Sequence, residues 1–448
     1  MVASEMQSSN IWEDDVLGRE KVANFLENIV KQKTGNFVLT INSPWGTGKT
    51  FLIQRMIKDL ERTNPCIYFN AWEEDSSSSA FLSFVSVIQR EFQRVFENES
   101  AKRLVNEYLT KAGRFFIRLV PIGLKGGVRY ILGDNGLEEL KDVFSEKVEE
   151  DFSTGLSKWL SKEIDAHLAK NVARSEFKES LSDTLEVLSG DGVNLPLIIF
   201  VDDLDRCKPT FSVELLESIK HVFNIKNVVF VVAVDSNQLA ESVKSVYGLG
   251  MDGDAYLKKI LENQYNLPNL DFKNYSNLLF NRLTISKLKL FLYDSSTPNE
   301  IFSAFSKAFN LSLRDQDQIF NKLHLSLEAA NDNVHFALLN FLLIVSYKYN
   351  LLFSYYRNSQ LNLEGLFNKL LEYLSKRYLP ILFHEVLKIY DICISQPNEM
   401  SNFRRALGGI RPADKLRSLQ FKIYSECIDS GFDLRMHLNL VDMLMHFQ

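Results

Sequence analysis

Cysteine is scarce in this chain: four in 448 residues, at positions 66, 207, 393 and 427, too far apart for any metal-binding spacing. That excludes a disulfide scaffold and a zinc-finger class. Cys66 and Cys207 flank apolar runs, where a reduced, buried thiol belongs. An uncharged apolar stretch of about twenty residues, the length a bilayer crossing needs, is also missing. The strongest contender, residues 115–132, is interrupted by Arg118, Lys125 and Arg129 and contains Pro121 and three glycines. It reads as a helical pair packed on its own surroundings, with a basic amphipathic element on an anionic membrane surface as the lesser reading. The run 335–347 is uncharged but too short, and reads as a core helix. Met1–Asp15 is polar and acidic, with no apolar signal segment, so the expected compartment is the cytoplasm. An excess of positive charge is lacking too: the net charge of −6 argues against a protein that coats nucleic acid generally. No cluster of histidines and carboxylates suggests a nuclease metal centre.

What the chain does have is a phosphate cradle. The apolar run Phe37–Ile41 reads as a strand, and Phe51–Leu60 as part of a helix. Between them stands Asn42-Ser43-Pro44-Trp45-Gly46-Thr47-Gly48-Lys49-Thr50. Such a loop turns successive backbone N–H groups inward, and the helix start adds free N–H groups and a partial positive charge. Lys49 would reach the β- and γ-phosphates, and the Thr50 hydroxyl would ligate magnesium. The candidate nucleotide contacts are Ser43, Pro44, Trp45, Gly46, Thr47, Gly48, Lys49, Thr50 and Phe51. Ser43 stands where the usual pattern has glycine, which predicts a backbone cost at φ > 0 and a reduced affinity. Pro44 stiffens the turn, and Trp45 is expected to anchor it from below.

The complementary half of a triphosphate–metal site is a carboxylate ending another apolar strand. Leu197-Ile198-Ile199-Phe200-Val201-Asp202-Asp203-Leu204-Asp205-Arg206-Cys207 supplies it after the turn-forming Ser189–Gly192. Asp202 would hold magnesium through water, and Asp203 would orient or deprotonate the attacking water. The plainer alternative is that these aspartates only cap the next helix.

These motifs carry a resemblance. Trp-Gly-Thr-Gly-Lys-Thr, then Phe69-Asn70-Ala71-Trp72, then Asp202–Cys207 together resemble the KAP family of P-loop NTPases. Val231–Asp235 with Gln238-Leu239, and Tyr256–Ile260 leading to Leu267-Pro268, are similar to it as well. The likeness runs over about residues 12–270, with a large unmatched insertion. It implies an additional-strand ATPase core with the third strand between the first and the fourth, ATP and Mg2+ as cofactors, and a bacterial setting in phage exclusion or defence. It also implies that Asp235 senses the γ-phosphate, that Asn70 and Trp72 lie near the nucleotide edge (packing being the leading role for Trp72), and that Asp15 and Leu17–Glu20 lie near the adenine.

Hydrolysis calls for a cation on the developing phosphate charge, sometimes lent by a neighbouring subunit. Arg206 and Lys259 are the candidates: Arg206 could instead be salt-bridged to Asp203 or Asp205, and Lys259 precedes the expected fifth strand. The helical arginine motif that the family carries is absent from residues 331–340, so Lys348 serves instead or the sensor is missing.

The expected fold is α/β: a P-loop NTPase core with a parallel five-stranded sheet, a large helical insertion and a C-terminal all-α domain. Residues 1–79 and 191–270 would form the core, 80–190 the insertion and 271–448 the helical domain. Strands are expected near 37–41, 66–69, 197–201, 228–234 and 263–267. A basic strip at Arg404, Arg405, Arg411, Lys415 and Arg417, with Phe403 and Phe421 nearby, is a solvated helix face or a partner site before it is a nucleic-acid contact. Two functions follow. One is a Mg-dependent ATPase driving homo-oligomerisation or a separate effector protein; the other is a slow or inactive ATP-binding switch that assembles a partner complex.

Overall fold

The computed structural model describes residues 11–34, 37–76, 80–95, 178–179, 181–190, 192–222, 225–268, 271–282, 290–292, 296–330, 333–374, 383, 386–388, 390–391 and 435–444. Residues 115–132, most of the expected insertion, the basic strip, Cys393 and Cys427 lie outside them. The chain forms two compact units, Met1–Pro268 and Asn269–Gln448.

The first unit is built on five parallel strands: β1 (Phe37–Asn42), β2 (Cys66–Asn70), β3 (Leu197–Asp202), β4 (Val228–Val234) and β5 (Asn263–Asn266). Each falls within one residue of its expected place. Their order, β2-β3-β4-β1-β5, corrects one expectation: the fourth strand lies between the first and the third. Composition explains it. All seven residues of β4, Val-Val-Phe-Val-Val-Ala-Val, are buried, which only a central strand covered on both faces allows. Asn-Gln-Tyr-Asn of β5 is largely exposed and belongs at an edge, where polar side chains also discourage further pairing.

Parallel neighbours need crossovers, and helices supply them on both faces. After α1 (Arg19–Lys31), α2 (Lys49–Leu60) links β1 to β2. A short α3 (Ala71–Glu74) and α4 (Ala80–Val95) follow β2; α5 (Pro209–Val222) links β3 to β4; α6 (Ser236–Tyr247) and α7 (Gly253–Lys258) lead to β5. Alternation along the strands divides the core. Ile198, Phe200, Val229 and Val231 face α1 and α2 through Leu26, Val30, Leu52, Ile53 and Met56. Ile199, Val201, Phe230 and Val232 face α4 and α5 through Phe84, Ile88, Phe92, Leu215 and Ile219. Phe84 sits edge-on to Phe69 at 5.2 Å and tilted against Phe230 at 6.1 Å. Residues 80–95 thus cover the sheet. Gly253 lets α7 approach α6, since a Cβ there would meet the Ala240 carbonyl oxygen at 2.5 Å.

The second unit is mainly helical: α8 (Phe272–Asn281), α9 (Pro298–Ala308), α10 (Leu313–Ala329), α11 (Phe336–Lys348), α12 (Asn350–Arg357), α13 (Leu363–Leu370) and α14 (Arg435–Leu444). One two-residue parallel ladder, β6 (Leu290–Phe291) with β7 (Val334–His335), accompanies them. Thr297 with Glu300, and Ser312 with Asp315, form capping boxes that start α9 and α10. In α11 the residues from Phe336 to Ser346 are all buried, the mark of a helix apolar on every side and surrounded by others.

Candidate functional site

The C-terminal ends of the parallel strands gather the motif residues of the first unit. The Ser43 N–H donates to the Val234 carbonyl at 3.1 Å, continuing the β1–β4 ladder into the loop. Ser43 is not in the left-handed region; Gly46 and Gly48 are, at φ 73° and 90°. The backbone cost expected of this serine therefore does not arise, because the turn needing positive φ comes later and glycine makes it. The Thr47 hydroxyl closes the loop on the Pro44 carbonyl at 2.8 Å. Helix α2 begins at Lys49 with no side-chain cap, so its first-turn N–H groups remain for a ligand.

Lys49 is buried, and its ammonium donates to the Ser43 and Pro44 carbonyls at 2.6 and 3.2 Å. Burial pulls its pKa below the usual lysine value, while the nearby carboxylates of Asp205, Asp235 and Asp202 oppose that. Asp202, fully buried at the tip of β3, accepts a hydrogen bond from the Asp203 N–H at 3.0 Å and one from the Tyr68 hydroxyl at 3.3 Å, with the Thr50 side chain nearby. Burial holds its carboxyl above the ordinary range, and the Thr50 and backbone donors restrain the shift. The Thr50–Asp202 pair supplies a hydroxyl and a carboxylate oxygen side by side, the hard donors that Mg2+ selects.

Asp203 is a non-glycine residue at φ 55°, a conformation costing about 1–2 kcal/mol. Burial and the neighbouring Asp202 raise its pKa, the direction that suits a proton acceptor working near neutrality. In this structure its Oδ2 is held by the Arg206 guanidinium at 3.1 Å, and that guanidinium lies 5.9 Å from the Trp72 ring. Trp72 is 57% exposed, so packing is not its role. Asn70 caps α3, accepting from the Trp72 N–H at 3.2 Å.

Asp235 is buried and caps α6, accepting from the Asn237 N–H at 3.1 Å. Beside it, Asn42 accepts from the Ser236 N–H at 2.9 Å and donates to Asn266 at 2.8 Å, tying the tips of β4, β1 and β5. Phe51, in the first turn of α2, stacks under the Arg55 guanidinium at 3.4 Å. Lys259 does not join this cluster within its own chain. It is exposed at the end of α7, before the N-terminal end of β5, whereas the site lies at the opposite strand ends. In the second unit the Lys348 ammonium is occupied by the Phe309 and Asn310 carbonyls at 2.7 and 3.0 Å, where it closes the end of α9.

Three contacts escaped the sequence reading. Arg19, buried at the start of α1, donates to the Thr47 carbonyl at 3.2 Å and the Pro268 carbonyl at 3.4 Å, tying the phosphate loop to the end of the core. Tyr68 reaches Asp202 from the neighbouring strand, a pairing that the register of Asn70 with Asp202 makes possible. Trp45, rather than anchoring the loop from below, is 41% exposed and hydrogen-bonds through its indole N–H to Asp205. Only the spacing of the Asp202–Arg206 segment hinted at a third acidic role.

A strand–loop–helix that carries a buried lysine and a threonine hydroxyl, a second strand tipped by a carboxylate, and an extra strand between the two define a P-loop NTPase. The chain belongs to the KAP family, whose P-loop domain matches residues 19–329. It is 22% identical over 248 residues to the phage T7 exclusion protein of Escherichia coli strain K12. That match takes in 52% of this chain and 30% of the relative, so the chain spans less than a third of the relative's length. The Aeropyrum pernix ORC2 protein, solved in ADPNP–ADP complexes, aligns over 99% of this chain and 87% of that one, at 11% identity and a TM-score of 0.34. Among the described residues no helix is long and apolar enough to cross a membrane.

Proposed function

We propose that this chain is an ATPase that works with Mg2+, whose turnover drives homo-oligomerisation or a separate effector protein in anti-phage defence in the cytoplasm. The observation that carries the reading is the buried Lys49 ammonium, held by the phosphate-loop carbonyls of Ser43 and Pro44 at 2.6 and 3.2 Å with the Asp202 carboxylate nearby. It sets the phosphate-loop helix near the aspartate-tipped strand, where a triphosphate's metal ion is needed. Thr50 and, through water, Asp202 would hold Mg2+, which when bound neutralises phosphate charge.

The chain's own residues then have separate tasks. The ammonium of Lys49 leaves the Ser43 and Pro44 carbonyls for the β- and γ-phosphates. The N–H groups of the loop and of the first turn of α2 bind the phosphate oxygens. Asp203 orients the attacking water and takes its proton, and Asp235 keeps the β4 tip fixed beside the γ-phosphate. Arg206 or, from another copy, Lys259 offers the cation for the transition state. Defence enters from the name of the exclusion protein to which the chain is similar.

The second reading, a slow ATP-binding switch that assembles a partner complex, draws on the Arg206–Asp203 ion pair, which occupies the proposed base. Titration of the chain with MgATP and a phosphate-release assay separate the two. Lys49→Ala is expected to weaken MgATP binding by about a hundredfold or more, through loss of a charge-assisted phosphate contact in a buried setting. Unchanged affinity would remove the nucleotide assignment. Asp203→Asn is expected to bind MgATP normally and release phosphate far more slowly. Equal and slow release from both proteins would select the switch.

A further inference from the structure

Asp205 has no task in the scheme above, yet it is buried and hydrogen-bonded to two other elements of the site. It lies on the 3-10 turn Leu204–Arg206 that follows β3, and only 6% of it is exposed. Its Oδ2 accepts two hydrogen bonds from two other elements: one from the indole N–H of Trp45 in the phosphate loop, and one from the backbone N–H of Asp235 at the tip of β4, at 3.0 Å. Its Oδ1 is buried with no hydrogen-bond partner among the described residues. A buried carboxylate with an unanswered oxygen is costly unless a cation or donor compensates. Asp205 is also the acidic neighbour that acts most strongly on the Lys49 ammonium.

We propose that Asp205 is a positioning residue that couples the phosphate loop to the water-activating aspartate. One carboxylate oxygen clamps the loop, through Trp45, and the β4 tip, through Asp235. The carboxylate belongs to the same short turn as Asp203. Movement of the loop when phosphate enters is therefore transmitted through the indole to the turn that aims Asp203. The carboxylate also places negative charge near the Lys49 ammonium. This inference rests on the nucleotide-site reading.

The test uses the full chain and three variants: Trp45→Phe keeps the ring and removes the donor; Asp205→Asn keeps one oxygen able to accept both donors and removes the charge; Asp205→Ala removes both. MgATP affinity and single-turnover phosphate release are the readouts, with far-UV circular dichroism as the folding control. Trp45→Phe and Asp205→Ala are each expected to lower affinity about tenfold, the scale of a charge-assisted hydrogen bond. The double variant should be no worse than Asp205→Ala, because both changes remove the same contact. Asp205→Asn should restore most of the Trp45-dependent binding while slowing phosphate release, a split that a merely structural role would not produce. Should Asp205→Ala fail to fold, Trp45→Phe and Asp205→Asn carry the comparison alone. A wild type that binds no MgATP removes the nucleotide reading and this inference with it. A wild type that binds while Trp45→Phe matches it, or a double variant whose losses multiply, overturns this inference only.

Discussion

The two units treat buried polar groups in opposite ways. In the first, Lys49, Asp202, Asp205 and Asp235 are buried at one end of a parallel sheet, and several are bonded across elements distant in sequence. In the second, His335, His437 and Asn340 are buried within a helical core. The His335 backbone N–H donates to His437 at 2.9 Å and its ring nitrogen pairs with the Tyr390 hydroxyl at 3.0 Å, while both side-chain polar atoms of Asn340 lack hydrogen-bond partners among the described residues. The difference follows from architecture. Parallel strands end together, so their loops converge and polar side chains accumulate at a common open edge. Helices end separately and cap themselves locally, as the boxes at Thr297 and Ser312 do, leaving no shared edge at which to build a site. Polar groups in the second unit are therefore sealed in, and their effects should appear in stability rather than in binding.

A useful feature makes the comparison measurable: the four tryptophans, at positions 12, 45, 72 and 159, all precede residue 269. Tryptophan fluorescence thus reports the first unit, while far-UV circular dichroism reports both. The largest expected effect is on the sheet. Phe84 is fully buried between Phe69 and Phe230, and Phe84→Ala should cost the first unit about 3–5 kcal/mol through lost transfer energy and a cavity. The urea midpoint read by fluorescence should fall accordingly. A shift under about 1 kcal/mol would mean that α4 is not part of the cooperative sheet unit.

The next effect tests the helical unit through acid. Burial pulls the His335 imidazole down to about 3, with the neighbouring His437 adding to the shift. Below pH 6.5 the unfolded chain takes up a proton that the folded site refuses, so the stability contributed by neutral His335 is complete above that pH and is lost as pH falls toward 3. The loss should reach about 3 kcal/mol by pH 4, at about 1.4 kcal/mol per pH unit. It should be seen by circular dichroism and be reduced in His335→Gln. An acid response identical in wild type and variant would contradict the assignment.

How much of this was legible beforehand follows the same division. The apolar runs at 37–41, 197–201 and 228–234 announce strands because burial on both faces leaves no room for polar residues. Nothing in a run states its neighbours, and the strand order that the resemblance implies, with the third strand between the first and the fourth, differs from the observed one, in which β4 lies between β1 and β3. The phosphate loop and the Asp202-Asp203 pair were readable because their chemistry depends on backbone conformation and close spacing. Asp205 was not, since its partners, Trp45 and the Asp235 N–H, are 160 and 30 residues away and meet it only through the strand order. Ser43 misled for a related reason: a motif position suggests a conformation, but the ladder bond to Val234 decided it. The capping boxes of the second unit are local patterns, whereas its fully buried α11 shows no amphipathic face from which a packing direction could be inferred.

The smallest expected effect completes the comparison by giving the first unit a pH response of opposite sign. Glu27 on α1 is 5% exposed, with Oε1 unpartnered among the described residues and Oε2 3.7 Å from Lys31. Burial raises its carboxyl to about 7, and the charge of Asp59 adds to that against the opposing Lys31 and Arg62. Between pH 4.5 and 7 the folded state therefore holds a proton that the unfolded state has released. Its stability contribution is complete below that window and is lost as pH rises through it. Glu27→Gln, which is neutral throughout, should make the first unit more stable than wild type at pH 8 by about 1–2 kcal/mol, less than the full shift implies because Lys31 and solvent relax around the charge. At pH 4.5 the two proteins should coincide. Fluorescence-monitored urea unfolding at both pH values decides the matter: parallel curves would show that Glu27 ionises inside the folded unit without cost, and would leave the acid response of His335 as the sole pH signature separating the two halves.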